Sequence, residues 1–306
     1  MWRTVIVTSG EKMTLQDHWL HIISQTQEVR IPIGDLYSVI VDNRQTLLSM
    51  PVLTAMAQSG VHVLLCDEKH LPCAELVPLG LHYRPLTVLQ GQMSLSQEMK
   101  DRLWQKIVCV KIKNQAKTLR LAGVCGSKPQ KLEELSECVR PGDVGNREAQ
   151  AARLYFPALF GMGFKRSDDD VTNAALNYGY TIIRSAVSKT LAGYGYSGVL
   201  ELHHEGSGNA FNLADDLMEP LRPLVDLWAD DHCSDLYDTL TRTNRRDLIN
   251  LVNHVVRLDG KKMRVRYAID RCIKSLTSAI QGQNADLLLL PEVMRDDPMF
   301  EDEQDG

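Results

Sequence analysis

The chain has 306 residues, of which 44% are hydrophobic and 24% are charged, and its formal net charge is −5. These values are ordinary for a globular protein and argue against global disorder, and the length allows one large or two medium-sized domains. The longest apolar runs are too short to span a bilayer, and the N-terminus has no extended apolar stretch, so neither a membrane protein nor a signal peptide is predicted. Seven cysteines without a CxxC pair disfavour a disulfide framework and a zinc finger, and they favour a reducing, cytoplasmic location.

The first eighty residues have the pattern of short β-strands, because β-branched residues cluster in runs that turn residues separate. The predicted strands are RTVIVTS (3–9), WLHIISQ (19–25), EVRIPI (28–33) and LYSVIVD (36–42), followed by a hairpin of VHVLLCD (61–67) and CAELVPL (73–79). One helix is predicted over residues 47–59, since Leu48, Val52 and Met56 recur at four-residue spacing.

The remainder of the chain changes to helical periodicity, which continues to about residue 290. The fold class is therefore predicted to be α+β, with a small β-rich N-terminal domain followed by a larger all-α C-terminal domain. The last fifteen residues hold seven acids against Arg295, so they are predicted to be mobile. The predicted parts are the β-rich domain over 1–82, a linker over 83–95, the all-α domain over 96–290 and an acidic tail over 291–306.

Basic residues concentrate in two segments of this acidic chain. Residues 100–131 carry nine Lys or Arg against one acid, and residues 242–274 carry ten against three. Local basic surfaces indicate a polyanion such as nucleic acid as the partner. Solvated helix faces with counter-charges elsewhere are the alternative.

The stretch GNREAQAARLYFPALFG (145–161) predicts a helix that carries a carboxylate on its inner face. Asn146 is the predicted N-cap, and Glu148 lies four residues before Ala152 on the apolar stripe. A carboxylate that points toward a core must be neutral, paired or bound to a metal. An Arg partner, or the favourable field at a helix N-terminus, would also explain Glu148.

The next stretch, GFKRSDDDVTN (163–173), contains three consecutive aspartates that a metal site could use. We instead predict a loop in which Asp170 or Thr172 caps the following helix. Gly179 within that helix would lower stability by about 1 kcal/mol relative to alanine. Close packing against another helix is therefore expected at this glycine.

Titratable groups concentrate in LHHEGSGNAFNLADDLMEPLRP (202–223). A helix is predicted over 213–228, with a core stripe of Leu213, Leu217, Leu221, Leu224 and Trp228. Asp216, Glu219 and Arg222 follow at three-residue intervals on a neighbouring face. Pro220 should remove the hydrogen bond to the Asp216 carbonyl oxygen, leave that oxygen free and distort the helix. Neighbouring residues of an extended segment face opposite ways, so one of His203 and His204 is expected to reach a site.

A glutamate, a histidine and a second acid suit Mg²⁺ or Mn²⁺, because hard cations prefer carboxylate oxygens and imidazole suits Mn²⁺. Basic helices near such a site favour phosphodiester chemistry, in which a metal orients the phosphate and stabilises charge on oxygen.

Two further helices are predicted to contact a phosphate backbone, with ordinary solvated surface as the alternative. In NRRDLINLVNHVVR (244–257), one polar stripe faces away from Leu248, Val252 and Val255. A second helix is predicted over 263–280. The candidate DNA-binding residues are Arg246, Asn250, Asn253 and Arg257 on the first helix, and Arg264, Arg271 and Lys274 on the second.

Several segments together resemble the CRISPR-associated spacer integrase family, the metal-dependent nuclease-integrases of CRISPR adaptation. They are GNREAQAARLYF (145–156), NAALNYGYTIIRSAVSKTLAGYGYSGVLELHH (173–204) and FNLADDLMEPLRPLVD (211–226). The resemblance covers essentially the whole chain, including the β-then-α layout. The HH…NLADDLMEP segment is most similar to members from type II systems.

The resemblance implies catalytic and metal-binding roles for three residues, Glu148, His204 and Glu219, with Asp216 as a further acid that assists the site. The expected cofactor is Mg²⁺ or Mn²⁺. The implied reaction is attack by the 3′-hydroxyl of a short DNA fragment on a phosphodiester at the edge of the CRISPR repeat. Residues 96–290 would be the catalytic domain.

The implied partners are double-stranded DNA, as spacer precursor and as leader and repeat, and a second copy of the chain that pairs through the N-terminal domain. Two such homodimers would be bridged by a dimer of the small second adaptation protein, giving a heterohexamer. The type II effector nuclease is a further candidate partner, and no membrane is involved. A structure-specific nuclease for branched DNA and a non-catalytic DNA-binding scaffold are the alternative functions.

Overall fold

The computed structural model describes residues 3–10, 12–24, 27–68, 70, 72–76, 84–203, 206, 208–297 and 300. Contacts divide the chain into two units, Met1–Tyr83 and Arg84–Gly306. Where it is described, the first unit contains strands and one α-helix, and the second unit is largely helical, so the predicted α+β class is confirmed. Among the described residues, no helix is long and apolar enough to cross a membrane.

The first unit contains two four-stranded sheets, with the strand orders β1-β5-β7-β8 and β4-β3-β2-β6. Strands β1, β5 and β7 are parallel neighbours, and β7 and β8 form the predicted antiparallel hairpin. Both sheets and α1 contribute to one core, which includes Met13, Leu20, Leu36, Val39, Val52 and Met56. The elements are β1 (Arg3–Val7), β2 (Lys12–Gln16), β3 (Trp19–Ile23), β4 (Glu28–Pro32), β5 (Leu36–Val41), β6 (Leu47–Leu48), α1 (Met50–Gln58), β7 (His62–Cys66) and β8 (Pro72–Leu76).

The predicted helix over 47–59 is wrong at its start. Leu47 and Leu48 pair with Lys12 and Met13 as strand β6, and α1 begins at Met50. Pro51 explains this boundary, because proline has no N–H and is tolerated only in the first turn of a helix.

The second unit is built around α3, whose buried face includes Trp104, Ile107, Ile112 and Leu119. Helix α6 is a second long helix of the unit, and Gly179 packs against Val225 of α8 and Leu248 of α9. The helices are α2 (Pro85–Met93), α3 (Gln97–Leu121), α4 (Lys128–Glu137), α5 (Arg147–Leu159), α6 (Val171–Gly193), α7 (Asn212–Met218), α8 (Arg222–Asp231), α9 (Arg242–Asn250) and α10 (Val265–Gly282).

The predicted linker over 83–95 is wrong for most of its length, because it contains helix α2. Pro85 occupies the first turn, where its missing N–H has no helical partner to lose. The buried side chain of Gln92 donates to the carbonyl oxygens of Ser197 (2.8 Å) and Leu200 (3.0 Å). These hydrogen bonds tie the helix to the segment between α6 and α7 of the same unit.

The prediction that the C-terminal domain is all-α is wrong in one place, where β9 (Val255–Leu258) and β10 (Lys261–Arg264) form an antiparallel hairpin. The predicted helix over 244–257 ends at Asn250, a 3₁₀ turn follows, and Val255 begins a strand. Asp259 and Gly260 have φ values of 51° and 76°, as a tight two-residue hairpin turn requires. The DG pair that follows the β-branched pair Val255 and Val256 is therefore a sequence signal for a hairpin.

The predicted mobile tail over 291–306 is wrong for its first residues. Val293 is fully buried, and its N–H donates to Asn114 Oδ1 at 3.2 Å. Glu292 forms an antiparallel bridge with Arg257 of β9. These contacts hold the start of the segment in place, whereas 298, 299 and 301–306 lie outside the described residues.

Candidate active site

Asp143 fixes the first turn of α5, where Glu148 lies. Its carboxylate accepts hydrogen bonds from the backbone N–H groups of Arg147 (2.9 Å) and Glu148 (3.0 Å). The predicted capping role of Asn146 is wrong, because this residue has a left-handed φ of 49° and makes no side-chain cap hydrogen bond. Asp143, three residues before Asn146, therefore accepts the hydrogen bonds of N–H groups that have no partner within the helix. The backbone at Glu148 is held in a defined position.

A break between α7 and α8 positions the second glutamate. Helix α7 ends at Met218, a 3₁₀ turn spans Glu219–Leu221, and α8 begins at Arg222. Pro220 causes the break, as predicted, but the carbonyl oxygen of Asp216 is not free. It accepts from the N–H of Glu219, since the 3₁₀ turn shortens the hydrogen-bond spacing. Glu219 thus lies at an interruption of the helix and is almost fully buried.

The side chains of Glu148 and Glu219 meet at Lys111 of α3. Lys111 Nζ lies 2.5 Å from Glu148 Oε1 and also contacts Glu219 Oε2. The exposed fractions of the three side chains are 25% for Glu148, 3% for Glu219 and 11% for Lys111. Two carboxylates from distant parts of the chain therefore share one ammonium group in a largely dry site.

Opposite charges balance in this cluster. Burial disfavours the charged form of Lys111, but the carboxylates of Glu219 and Glu148 outweigh it, so the pKa of Lys111 is raised. Arg222 Nε donates to Glu219 Oε1 at 2.8 Å. Burial opposes the charge on Arg222 as well, yet Glu219 raises the pKa of this guanidinium above its usual value. The two carboxylates therefore favour the charged forms of both Lys111 and Arg222.

Behind Arg222 lies a buried group of tyrosines around one aspartate. The guanidinium carbons of Arg222 and Arg166 lie 4.7 and 5.5 Å from the centre of the Tyr180 ring. The Tyr180 hydroxyl donates to Asp226 Oδ1, and the Tyr155 hydroxyl donates to Asp226 Oδ2 at 2.9 Å. Burial raises the pKa of Asp226 to about 6, although the two tyrosine hydrogen bonds act to lower it. The group orients the Tyr180 ring beneath Arg222.

The predicted ligand His204 lies outside the described residues. Its neighbour His203 has its imidazole stacked on Trp104 of α3, with ring centres 4.4 Å apart and an interplanar angle of 7°. Asp216, predicted to assist the site, is fully buried, and its Oδ2 accepts from the N–H groups of Leu202 (2.7 Å) and His203 (3.1 Å). Asp216 therefore holds the backbone immediately before His204.

The donor chemistry of the cluster fits a hard divalent cation. Within the described ranges, no group of three or more His, Cys, Asp or Glu side chains is arranged to hold a metal ion. Glu148 and Glu219 nevertheless present carboxylate oxygens to one shared positive charge, and such oxygens are the ligands that Mg²⁺ and Mn²⁺ prefer.

Comparison with known proteins identifies the family. The family model described as CRISPR associated protein Cas1 matches residues 4–233. The chain belongs to the Cas1 family. A CRISPR-associated endonuclease Cas1 from Neisseria meningitidis serogroup C (strain 8013) is 39% identical over 301 residues, which cover 96% of this chain and 97% of that protein. A CRISPR-associated endonuclease Cas1 from Korarchaeum cryptofilum is 22% identical and covers 85% and 89% of the two chains.

Solved structures share the Cas1 fold at lower identity. A casposase bound to integration product is 17% identical, with a TM-score of 0.76 over 98% of this chain and 94% of that chain. A Cas1 protein from Thermotoga maritima is 13% identical, with a TM-score of 0.75 over 92% and 97%. The Cas6-RT-Cas1–Cas2 complex contains a chain that is 18% identical, with a TM-score of 0.73 over 96% of this chain and 36% of that one.

The DNA-binding candidates of this Cas1 family member do not form two helical stripes. Arg246 and Asn250 are exposed on α9, but Asn253 lies in a 3₁₀ turn and Arg257 is exposed on β9. The reason is the hairpin, which ends the predicted helix after residue 250. The four residues therefore lie on three different elements.

The three DNA-binding candidates predicted on the second helix also lie on different elements. Arg271 and Lys274 are exposed on the helix, as predicted. Arg264 ends β10 instead, and it donates to the carbonyl oxygens of Asn253 (3.0 Å) and Phe300 (3.1 Å). The guanidinium of Arg264 thus holds the hairpin to the segment after residue 290.

The basic segment 100–131 is less positive at the surface than its composition indicates. Lys111 is buried against two glutamates, and several other basic side chains form ion pairs. These pairs are Lys100–Glu201, Arg102–Glu98, Lys117–Glu292 and Arg120–Glu133. Much of the charge on α3 is therefore compensated within the protein, and counting residues overestimated this segment as a polyanion surface.

Proposed function

We propose that this Cas1 family member is a metal-dependent DNA integrase. In the proposed reaction, the 3′-hydroxyl of a short DNA fragment attacks a phosphodiester at the edge of a CRISPR repeat. A new P–O bond joins the fragment to the array, the P–O bond of the array strand breaks, and the displaced oxygen takes up a proton and leaves as a hydroxyl. The observation that carries this proposal is the meeting of Glu148 and Glu219 at one buried positive charge. A relative that is named a CRISPR-associated endonuclease, at 39% identity over nearly the whole chain, supports it.

The proposed metal ligands are Glu148, Glu219 and His204, with Mg²⁺ or Mn²⁺ as the cation. A bound divalent cation supplies Lewis-acid stabilisation of phosphate oxygens and favours ionisation of the attacking hydroxyl. The chain itself contributes rigidity, since Asp143 holds the backbone of Glu148 and Arg222 orients the Glu219 carboxylate. Ligands whose positions are fixed before the substrate binds need less reorganisation during the reaction.

The proposed partners are double-stranded DNA, a second copy of the chain and a Cas2-type protein that joins two such dimers. The likeness to a chain of a Cas1–Cas2 complex supports the last of these. Arg271 and Lys274, exposed on α10, are proposed phosphate contacts. Such contacts hold the nucleic acid without reading its sequence.

A joining assay tests the proposal. Purified protein and its Cas2-type partner are mixed with a short duplex that has 3′-hydroxyl ends and a supercoiled plasmid that carries a leader and repeat. We expect joined product with Mn²⁺ or Mg²⁺, and none with a chelator or with 3′-blocked ends. Glu219→Ala should abolish joining and retain DNA binding, whereas Glu133→Ala, an exposed carboxylate paired with Arg120, should leave joining intact.

Cleavage of branched DNA without joining would instead select the hydrolytic alternative. Joining that persists at the wild-type rate in Glu219→Ala would show that the active site lies elsewhere.

A further inference from the structure

Lys111 occupies an unusual position for a lysine. It lies on the inner face of α3, and its ammonium contacts two carboxylates that approach it from α5 and from the break after α7. The backbone N–H of Glu148 donates to Asp143 Oδ2 at 3.0 Å, and the Glu219 carboxylate accepts from Arg222 Nε at 2.8 Å. The ammonium group therefore marks the point on which both proposed metal ligands converge.

We propose that the Lys111 ammonium is a placeholder for the divalent cation, so that the two occupy the space between Glu148 and Glu219 alternately. This inference rests on the proposed function, because it assigns a residue to the same metal site. Without the ammonium, two carboxylates would face each other in a buried site, and their repulsion would destabilise the metal-free protein.

Simultaneous occupancy is unfavourable for the opposite reason. Glu148 and Glu219 carry two negative charges, which Lys111 and Arg222 already neutralise. A divalent cation added to this set would leave two uncompensated positive charges where little solvent screens them. Entry of the metal therefore requires the ammonium to leave, and the Lys111 side chain competes with the metal for its ligands.

Lys111→Met tests this competition, because methionine keeps much of the buried stem and removes the charge. Lys106→Met is the matched control, because Lys106 lies on the same helix but contacts no carboxylate of the site. Its Nζ donates hydrogen bonds to backbone carbonyl oxygens, including that of Asp286 at 2.7 Å. The measurements are the melting temperature in chelator and the Mn²⁺ dissociation constant by calorimetry, in full-length protein and a mildly alkaline buffer.

We expect Lys111→Met to melt several degrees below the wild-type protein in chelator and to bind Mn²⁺ on the order of tenfold more tightly, because the competing charge is gone. Lys106→Met should keep the wild-type dissociation constant. A Mn²⁺ dissociation constant in Lys111→Met that is unchanged or weaker, with normal binding by the wild-type protein, overturns the placeholder role and leaves the proposed function standing. Absence of Mn²⁺ binding in the wild-type protein and in both variants overturns the proposed metal site itself.

A second measurement needs no variant. In a crystal structure of the wild-type protein grown with Mn²⁺, we expect the metal between Glu148 and Glu219, with Lys111 Nζ withdrawn from both carboxylates. A metal bound there while Lys111 Nζ keeps both contacts would contradict alternate occupancy, even if Lys111→Met fails to fold.

Discussion

Asn114 donates a hydrogen bond from its side-chain amide to the carbonyl oxygen of Pro220, at 2.7 Å. The same amide nitrogen donates to the carbonyl oxygen of Pro291 at 2.9 Å, and Oδ1 accepts from Val293 N–H. Asn114 lies on α3 one turn after Lys111 and is almost fully buried. One side chain therefore fixes both the break that carries Glu219 and the segment that follows residue 290.

Asn114→Ala should lower the free energy of unfolding by about 2–4 kcal/mol, because it leaves buried carbonyl and N–H groups without partners. Urea unfolding of the full-length protein measures the change. Asn250→Ala, on the exposed end of α9, is the control and should unfold near the wild-type midpoint. An unaltered midpoint for Asn114→Ala would mean that water replaces these hydrogen bonds at little cost.

Gly179→Ala should destabilise the protein, because helices α6, α8 and α9 meet at this glycine. A Cβ at this position would overlap Val225 Cγ1 and lie 3.1 Å from Leu248 Cδ2. Overpacking lowers stability by about 1–3 kcal/mol, and the better helix propensity of alanine offsets about 1 kcal/mol of that. Thermal unfolding in a wild-type and a Val225→Ala background separates the two effects. The substitution should be less harmful where Val225 has been shortened, and equal losses in both backgrounds would refute the predicted overlap.

The carboxyl group of Asp226 should make stability depend on pH. Burial raises its pKa in the folded protein to about 6, above the value near 3.9 of an unfolded chain. Between these values the folded state binds more protons, so the contribution of Asp226 is fully present below about pH 4 and is lost as the pH rises through about 6. Its size is about 3 kcal/mol.

Asp226→Asn removes this titration. Denaturant unfolding of both proteins from pH 4 to pH 7 should show the wild-type stability falling relative to the variant across this window, and staying constant above it. A difference that does not vary with pH would mean that Asp226 keeps one protonation state throughout.

The two adjacent histidines should differ in function. His203 is stacked on Trp104, and its backbone is held by Asp216, so its ring already has a structural partner. His204→Ala is therefore expected to abolish Mn²⁺-dependent joining and to weaken Mn²⁺ binding, whereas His203→Ala should lower the melting temperature and keep measurable joining. Calorimetry and the joining assay check both variants. The reverse pattern would assign the ligand to His203.

The fold class could be predicted from the sequence, because the change from strand to helix periodicity is a local property. Asp170 caps α6 as predicted, and the core stripe from Leu213 to Trp228 is buried. The parallel pairing of β1, β5 and β7 could not be predicted in the same way, because it depends on contacts between distant segments. Helix α2 was missed because its stabilising contacts, through Gln92, lie more than a hundred residues away.

The residues of the candidate site also differ in whether the sequence alone could predict them. The two glutamates stand out in the sequence because each accompanies a recognisable helix feature. Lys111 does not, because a count of basic residues treats it as surface charge. Its spacing was informative nonetheless, since it lies seven residues after Trp104 and four before Gln115, both of them buried. A lysine in register with a buried stripe indicates a paired cation inside the protein.

The contacts of Asn114 also have a consequence for biosynthesis. Residues 291–293 leave the ribosome after every helix of the second unit, yet they supply two of the hydrogen-bond partners of this asparagine in α3. In a nascent chain that has not reached residue 291, the Asn114 side chain lacks its hydrogen bonds to the Pro291 carbonyl oxygen and from the Val293 N–H. Completion of the Asn114 contacts, which also hold the break that carries Glu219, therefore depends on translation of a short segment nearly two hundred residues downstream.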